Sequence, residues 1–156
     1  MQKHILTLFL FFKVVLSSAQ DTDTHNRREL RPWGVSLNLL GPTGISSVNV
    51  DYFISRNISV EVGAGFFGAY VGGKAYIGKK QWTGMPYVGY TAAMFGLPGQ
   101  DDDGVYLYNY LPIGYHYVSK KGFNIAIEVA FNPDDTPYEL FGQLRLGYRF
   151  KKKTKK

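Results

Sequence analysis

Residues 123–132, FNIAIEVAFN, and residues 138–150, YELFGQLRLGYRF, decide the fold of this chain. In the first stretch every second residue from Phe123 to Phe131 is apolar, and the intervening residues are Asn, Ala and Glu. The second stretch repeats this alternation, with leucine and aromatic residues opposite glutamine and arginine. Successive side chains of a β-strand point to opposite faces of its sheet. Both stretches therefore predict strands with one apolar and one polar face.

The same period of two extends through the chain from residue 33. Eight segments alternate in this way, separated by short breaks rich in Gly, Pro, Asn, Asp or Lys, which are typical of hairpin turns. The predicted strands are 33–40, 45–53, 58–67, 70–78, 85–95, 105–118, 123–132 and 138–150. No segment after the N-terminal region sustains a helical period of 3.6. The predicted class is all-β, with consecutive antiparallel strands.

The N-terminal region predicts export. Residues 1–19, MQKHILTLFLFFKVVLSSA, combine a polar start, an apolar stretch and small residues before Gln20, which is the layout of a signal peptide. A membrane anchor would need about 20 consecutive apolar residues, and Lys13 interrupts this shorter run. Cleavage after Ala19 is expected, and N-terminal mass analysis of the exported protein tests it. Residues 20–32 are predicted to be a polar, solvated lead-in.

The charge distribution excludes a nucleic-acid-binding surface. The chain has 18 basic and 12 acidic residues, a formal net charge of +6. Two lysines lie in the predicted leader and five in the basic tail, residues 151–156, which leaves 11 basic and 12 acidic residues elsewhere. The absence of cysteine excludes disulfides, iron–sulfur clusters and thiol catalysis.

The polar face of the predicted strands has few charges, and this decides which face meets water. A water-exposed protein surface usually carries many more Lys and Glu residues. The mid-strand charges are Asp51, Glu61, Lys74, Glu128, Arg145 and Arg149. An apolar face turned outward to lipid and a polar face turned inward to a lumen is the arrangement of a membrane barrel. Residues 33–150 therefore predict an eight-stranded antiparallel up-and-down transmembrane β-barrel.

Aromatic residues near the strand ends favour the same arrangement. Amphipathic rings prefer the boundary between lipid and water, where they form two girdles. The candidate girdle residues are Trp33, Tyr52, Phe66, Tyr70, Phe95, Tyr117, Phe123, Phe131, Tyr138, Tyr148 and Phe150. Strands of 9–13 residues are also long enough to cross the hydrocarbon when tilted.

The connections between strands differ in charge at the two ends of the barrel. The turns at residues 55–57, 79–81 and 119–122 are short and basic, like the C-terminal tail. The connections at the other end carry the acidic residues Asp101, Asp102, Asp103, Asp134 and Asp135. An even number of strands places both termini on one side, so the acidic loops are expected to face outside the cell.

Over residues 33–150 the chain resembles the small eight-stranded outer-membrane barrels of Gram-negative bacteria, typified by the transmembrane domain of outer-membrane protein A. The resemblance implies location in the outer membrane, contact with its lipids, and a monomer. The last strand ends in Phe150 after alternating apolar residues, which is similar to the signal read by the barrel-assembly machinery. The sequence KKKTKK follows Phe150, whereas members of this family often end at the aromatic residue.

The resemblance also implies a lumen closed by ion pairs among Glu61, Lys74, Glu128 and Arg145. Glu61 and Lys74 lie about equally far from one turn, and Glu128 and Arg145 do the same about another. A charge in a narrow lumen must be paired, because an unpaired buried charge costs several kcal/mol. The alternative is that these residues belong to the outer surface of a soluble barrel.

No enzymatic or cofactor site is predicted. His116 and Ser119 fall on opposite faces of a strand and cannot form a nucleophile–base pair. The run Asp101–Asp103 lacks the ligand spacing of a calcium loop, so a solvated acidic loop is favoured. We therefore expect a non-enzymatic outer-membrane barrel with a structural role or an interaction role through its loops. The alternative is a secreted soluble β-barrel that binds a small apolar ligand.

Overall fold

The computed structural model describes residues 27–41, 43–79, 83–96, 106–133 and 140–152. The predicted leader and the loop aspartates Asp101, Asp102, Asp103, Asp134 and Asp135 lie outside these residues. The described elements are α1 (Arg27–Leu30), β1 (Trp33–Gly41), β2 (Gly44–Ser55), β3 (Ile58–Gly65), β4 (Gly68–Tyr76), β5 (Gly84–Phe95), β6 (Tyr106–Val118), β7 (Phe123–Phe131) and β8 (Leu140–Phe150).

The eight strands form a closed barrel in which each strand pairs antiparallel with its neighbours in the chain. Closure occurs between β1 and β8, where Trp33 lies opposite Phe150. The predicted all-β, eight-stranded up-and-down barrel is confirmed. We call the end that holds Trp33 and Phe150 the terminal end, and the opposite end the loop end.

The turn between β3 and β4 differs from the prediction. Gly65 pairs with Gly68, so Phe66 and Phe67 form a two-residue turn and β4 begins and ends two residues earlier than expected. The sequence analysis placed both phenylalanines in the third strand because they continue its alternation. A Cβ atom at Gly65 would meet Ser46 and Ser47 of β2, and one at Gly68 would meet Met94 of β5, so glycine lets the neighbouring strands approach this turn closely. The hydrophobic pattern does not report such contacts.

The barrel is apolar outside and polar inside. Neighbours on β7 illustrate it, because Ile127 is 57% exposed on the outer face whereas Glu128 is 4% exposed and faces the lumen. The same alternation of buried and exposed residues runs along β1, β2 and β3. Outward residues are mainly Val, Leu, Ile and aromatic, whereas Ser, Asn, Thr, Gln and charged residues are prominent among the buried ones.

The aromatic residues at strand ends divide between the two faces. Those on the outer face at the terminal end are Trp33, Tyr52, Tyr117, Phe123, Tyr148 and Phe150, and we call them the terminal girdle. The prediction was wrong for Tyr70, which is 3% exposed inside the lumen, and for Phe95, which lies on the lumen side against Phe67. Each of these residues is separated by an even number of positions from the inward-facing residues of its strand, so it faces inward as well. Nearness to a strand end therefore does not determine which face a ring occupies.

Candidate functional site: the charged lumen

The predicted charge cluster comes from four strands. Glu61 lies on β3, Lys74 on β4, Glu128 on β7 and Arg145 on β8, and each points inward. Every one of these four side chains is at most 5% exposed. The curvature of the closed barrel brings residues far apart in sequence into one buried layer, which we call the charged layer.

The ion pairs of the charged layer run across the lumen. Lys74 Nζ lies 2.9 Å from Glu128 Oε2 and 3.3 Å from Glu61 Oε1. Arg145 Nη1 lies 2.5 Å from Glu61 Oε2. The sequence analysis placed Glu128 and Arg145 about equally far from one turn. In the structure they are not directly opposite, because Glu128 pairs with Gln143 and Arg145 lies two residues further along β8. Long side chains in a narrow lumen therefore reach partners on other strands.

Neutral side chains complete the hydrogen bonding of this layer. Arg145 Nε donates to Asn38 Oδ1 at 2.9 Å, and the amide of Asn38 donates to the Tyr70 hydroxyl. On the other side, the Tyr87 hydroxyl donates to Glu128, and Lys74 Nζ lies 4.8 Å from the centre of the Tyr87 ring. Buried ion pairs are stable only when their remaining donors and acceptors are satisfied. The layer meets this condition at several of its groups.

Glycine makes room for Tyr70 above the charged layer. A Cβ atom at Gly63 would lie 2.4 Å from the Tyr70 ring, so any larger residue would displace that ring. The Tyr70 ring therefore occupies the space that Gly63 leaves.

A second buried ion pair lies closer to the terminal end. Arg149 Nη1 is 2.5 Å from Asp51 Oδ2, and its other nitrogens donate to the carbonyl oxygens of Arg31 and Pro32. Gly34 lies between the two strands that hold the pair, and a Cβ atom there would meet both side chains. Sequence reasoning counted Asp51 and Arg149 as polar-face charges but missed their pairing. The pairing could have been predicted from their positions, because Asp51 and Arg149 lie on the two strands that flank β1 in a closed barrel.

The short helix α1 lies at the terminal end of the lumen. Arg28 is fully buried, and its Nη2 donates to the carbonyl oxygens of His116 and Thr83 at 2.9 and 3.3 Å. Its guanidinium lies 5.3 Å from the Tyr76 ring centre and 5.7 Å from that of Phe53. Burial lowers the pKa of Arg28 to about 10, which leaves it protonated at neutral pH.

The position of α1 corrects one expectation. Residues 20–32 were expected to be solvated, but Arg27 and Arg28 are 7% and 0% exposed. Arg27 Nη1 donates to the carbonyl oxygen of Val118 at 3.1 Å. A polar stretch without periodicity gave no sign that arginine would enter the barrel, because the acceptors are backbone carbonyls of distant strands.

His116 lies in the same terminal layer and has no catalytic geometry. Its ring is 3% exposed, stacks on Phe53 at 6.1 Å and lies 5.7 Å from Tyr76. Among the described residues neither ring nitrogen has a hydrogen-bond partner. A general base must reach the proton that it abstracts, and this ring is enclosed by aromatic faces.

Aromatic rings line the lumen side at the loop end. The chain of contacts runs from Phe67 to Phe95 at 5.5 Å, from Phe95 to Tyr108 at 6.3 Å and from Tyr108 to Tyr110 at 6.4 Å. Phe141 then packs edge-on against Tyr110 at 4.8 Å. These five residues, which we call the aromatic mouth, form a ring-lined layer above the charged one.

Two further features concern the described part of the chain. No group of three or more His, Asp or Glu side chains there could hold a metal ion. No helix within those residues is long and apolar enough to cross a membrane.

A closed antiparallel barrel with an apolar exterior and a charged, hydrogen-bonded lumen defines the class of small eight-stranded barrels. Within that class, the fold is similar to the crystal structure of the N-terminal β-barrel domain of Pseudomonas aeruginosa OprF. The TM-score is 0.52 at 12% sequence identity, over 75% of this chain and 97% of the OprF domain. No protein-family model and no curated protein sequence matches the chain.

Proposed function

We propose that this protein is an integral outer-membrane β-barrel, monomeric and non-enzymatic, whose lumen is closed. The observation that carries the proposal is the inverted distribution of side chains. The outward face is apolar around the barrel and the lumen is lined with paired charges. In water this arrangement would expose a large apolar surface, whereas in lipid it is the stable one.

Closure of the sheet supports insertion into lipid. The pairing of β1 with β8 leaves no unpaired strand edge in the barrel. Unsatisfied backbone groups are costly in hydrocarbon, so a sheet survives there only as a closed barrel. The alternative of a soluble barrel for a small apolar ligand requires an apolar interior, and charged and amide side chains occupy this one.

The proposed role is structural, or one of interaction through the connections at the loop end. Both termini are expected on the periplasmic side, so that Asp101, Asp102, Asp103, Asp134 and Asp135 would face the exterior. The proposed partners are the surrounding outer-membrane lipids and, during biogenesis, the barrel-assembly machinery. The OprF domain carries the fold comparison alone, and its function is not transferred.

Cysteine accessibility tests the proposal, because the chain has no native cysteine. We expect Ile127→Cys in lipid vesicles to resist a charged, water-soluble thiol reagent. The fluorescence of a label attached to this cysteine should be quenched by a lipid-borne quencher. We expect a label at Glu128→Cys not to be quenched by the lipid-borne quencher. We also expect this cysteine to react slowly with the water-soluble thiol reagent. Fast reaction at Glu128→Cys without lipid quenching at Ile127→Cys would overturn the membrane assignment.

Fractionation of the native host is the companion experiment. A barrel of this kind should remain in the outer-membrane fraction after a carbonate wash and leave it only with detergent. Release by the wash alone would contradict the proposal.

A further inference from the structure

A groove runs along the outer face of β1 to β4, starting at the terminal girdle. Its apolar lining consists of Trp33, Val50, Tyr52, Val60, Val62 and Val71. Asp51 and Glu61 also border it, but their side chains are buried on the lumen side. The groove has a volume of about 310 Å³, which is at the lower end of the range of about 300–1,000 Å³ found for small-molecule sites. We call it the outer groove.

The outer groove has one aromatic wall and a floor of small residues. Trp33 and Tyr52 pack with ring centres 4.6 Å apart at the terminal end. Towards the barrel centre, Val50, Val62 and Val71 lie side by side on paired strands. Next to Val60 is Gly73, which has no side chain and only one atom within 4 Å of where its Cβ would be. The shape suits a flexible hydrocarbon chain, because no polar side chain points into it.

Exposed cations lie at the terminal end of the groove. Arg56 is exposed in the turn that joins β2 and β3, the two central strands of the groove. Lys151 is exposed and directly follows Phe150, which is opposite Trp33 in the sheet. Basic side chains beside an aromatic girdle lie at the height of lipid headgroups, where they attract anionic lipids.

We propose that the outer groove binds an anionic phospholipid, with one acyl chain along the valine floor and the headgroup phosphate between Arg56 and Lys151. This inference rests on the proposed function, since it requires the outer face to be in lipid. It assigns the site to the leaflet that meets the terminal end. Two exposed cations at the terminal end favour an anionic headgroup over a zwitterionic one.

Trp33 is a reporter within the site. The chain has two tryptophans, so Trp82→Phe leaves Trp33 as the sole fluorophore. The full mature barrel would be refolded into phosphatidylcholine vesicles. One set contains phosphatidylglycerol with brominated acyl chains, and the other contains phosphatidylcholine with brominated acyl chains. Bromine quenches tryptophan on contact, and the dependence on mole fraction gives a relative binding constant for each lipid at the groove.

We expect Trp33 to prefer brominated phosphatidylglycerol by about fivefold or more, the effect of one or two cations near an anionic headgroup. Arg56→Gln with Lys151→Gln should abolish this preference. The matched control, Lys120→Gln with Lys121→Gln, removes the same charge from the turn between β6 and β7 and should retain it.

Filling the groove is an independent test. Gly73→Leu places a side chain next to Val60, a lining residue of the groove, at a position where the backbone has room for a Cβ atom. We expect it to reduce quenching by both brominated lipids while the barrel remains folded on a gel. Unchanged quenching would show that no acyl chain occupies the groove.

The outcomes separate this inference from the proposed function. Equal quenching by the two headgroups would overturn the anionic-lipid site and leave a membrane barrel. A preference that both double variants reduce equally would also overturn it, since that result indicates a diffuse charge effect. No quenching of Trp33 by either lipid would overturn the proposed membrane location as well.

Discussion

At the scale of single residues, Glu61 holds two cations of the charged layer. It contacts Lys74 at 3.3 Å and Arg145 at 2.5 Å, and all three side chains are buried. Removing one member of a buried ion pair leaves an uncompensated charge, and that charge determines the cost. Glu61 is therefore a more informative site for mutation than any exposed charge.

We predict that Glu61→Gln lowers the free energy of unfolding by about 3–5 kcal/mol, because Arg145 would lose its carboxylate. Urea unfolding in detergent micelles or lipid vesicles measures this change. Glu29→Gln is the matched control, since Glu29 is exposed on α1. Equal effects of the two variants would contradict the role assigned to the charged layer.

Phe150 combines two properties that mutation can separate. It is 51% exposed in the terminal girdle, 5.5 Å from the ring of Tyr148. It is also the final residue of β8, where the resemblance implies an assembly signal.

We predict that Phe150→Ala reduces the amount of folded barrel in the outer membrane severalfold, because the resemblance implies that the barrel-assembly machinery reads the terminal aromatic residue. Tyr148→Ala is the control, since it removes a neighbouring outward ring without changing the strand end. Quantitative immunoblotting of heat-modifiable protein gives the yield. Equal losses would indicate that both rings act only as girdle residues.

At the scale of elements, arginine side chains of α1 and of the residue that follows it fix the position of this helix. Three contacts anchor it to distant strands, from Arg27 to Val118, from Arg28 to His116 and from Arg31 to the carbonyl oxygen of Arg149. A four-residue helix has no stability of its own, so these contacts fix its position. These contacts place α1 at the terminal end of the lumen.

We predict that Arg28→Ala exposes the terminal layer to water, because the carbonyl oxygens of His116 and Thr83 would lose this donor. The measurement is the rate at which His116→Cys reacts with a charged thiol reagent, with and without Arg28→Ala. A large acceleration is expected. Arg56→Ala removes an exposed arginine at the same end and should not accelerate the reaction, and acceleration by both changes would contradict this role of α1.

At the scale of the whole molecule, three layers of side chains lie inside the barrel. The terminal layer around Arg28, the charged layer around Glu61 and Lys74, and the aromatic mouth follow one another along the axis. An eight-stranded barrel is narrow enough for side chains to fill. Under the proposed function, a passing ion would have to replace these ion pairs.

We predict that the protein forms no large open pore. Recording from planar bilayers should show little or no stable conductance. Large, ohmic steps like those of porins would contradict the closed lumen. Glu61→Gln is the informative comparison, since weakening the charged layer should increase the frequency of brief openings if that layer blocks the path.

The sequence by itself determined the strands, their number and the face of most side chains. Alternation is a local property of an extended chain, so residues such as Ile127 and Glu128 could be assigned to opposite faces without knowledge of their neighbours. The four residues of the charged layer are among the six mid-strand charges that the alternation placed on the polar face. Their spacing about two turns and the resemblance to outer-membrane barrels singled them out.

Only the tertiary structure decided which side chains contact one another inside the barrel. The stagger of the closed sheet sets the height of each side chain along the axis, and so Lys74 meets Glu128 and Arg145 meets Glu61. Tyr70 faces the lumen because Gly63 leaves space for its ring. Arg28 enters because the carbonyl oxygens of His116 in β6 and of Thr83, just before β5, lie within reach. These contacts join residues 50 or more positions apart in several cases, and no local pattern records them. Local physics determined the strand pattern, and closure of the sheet determined the lumen.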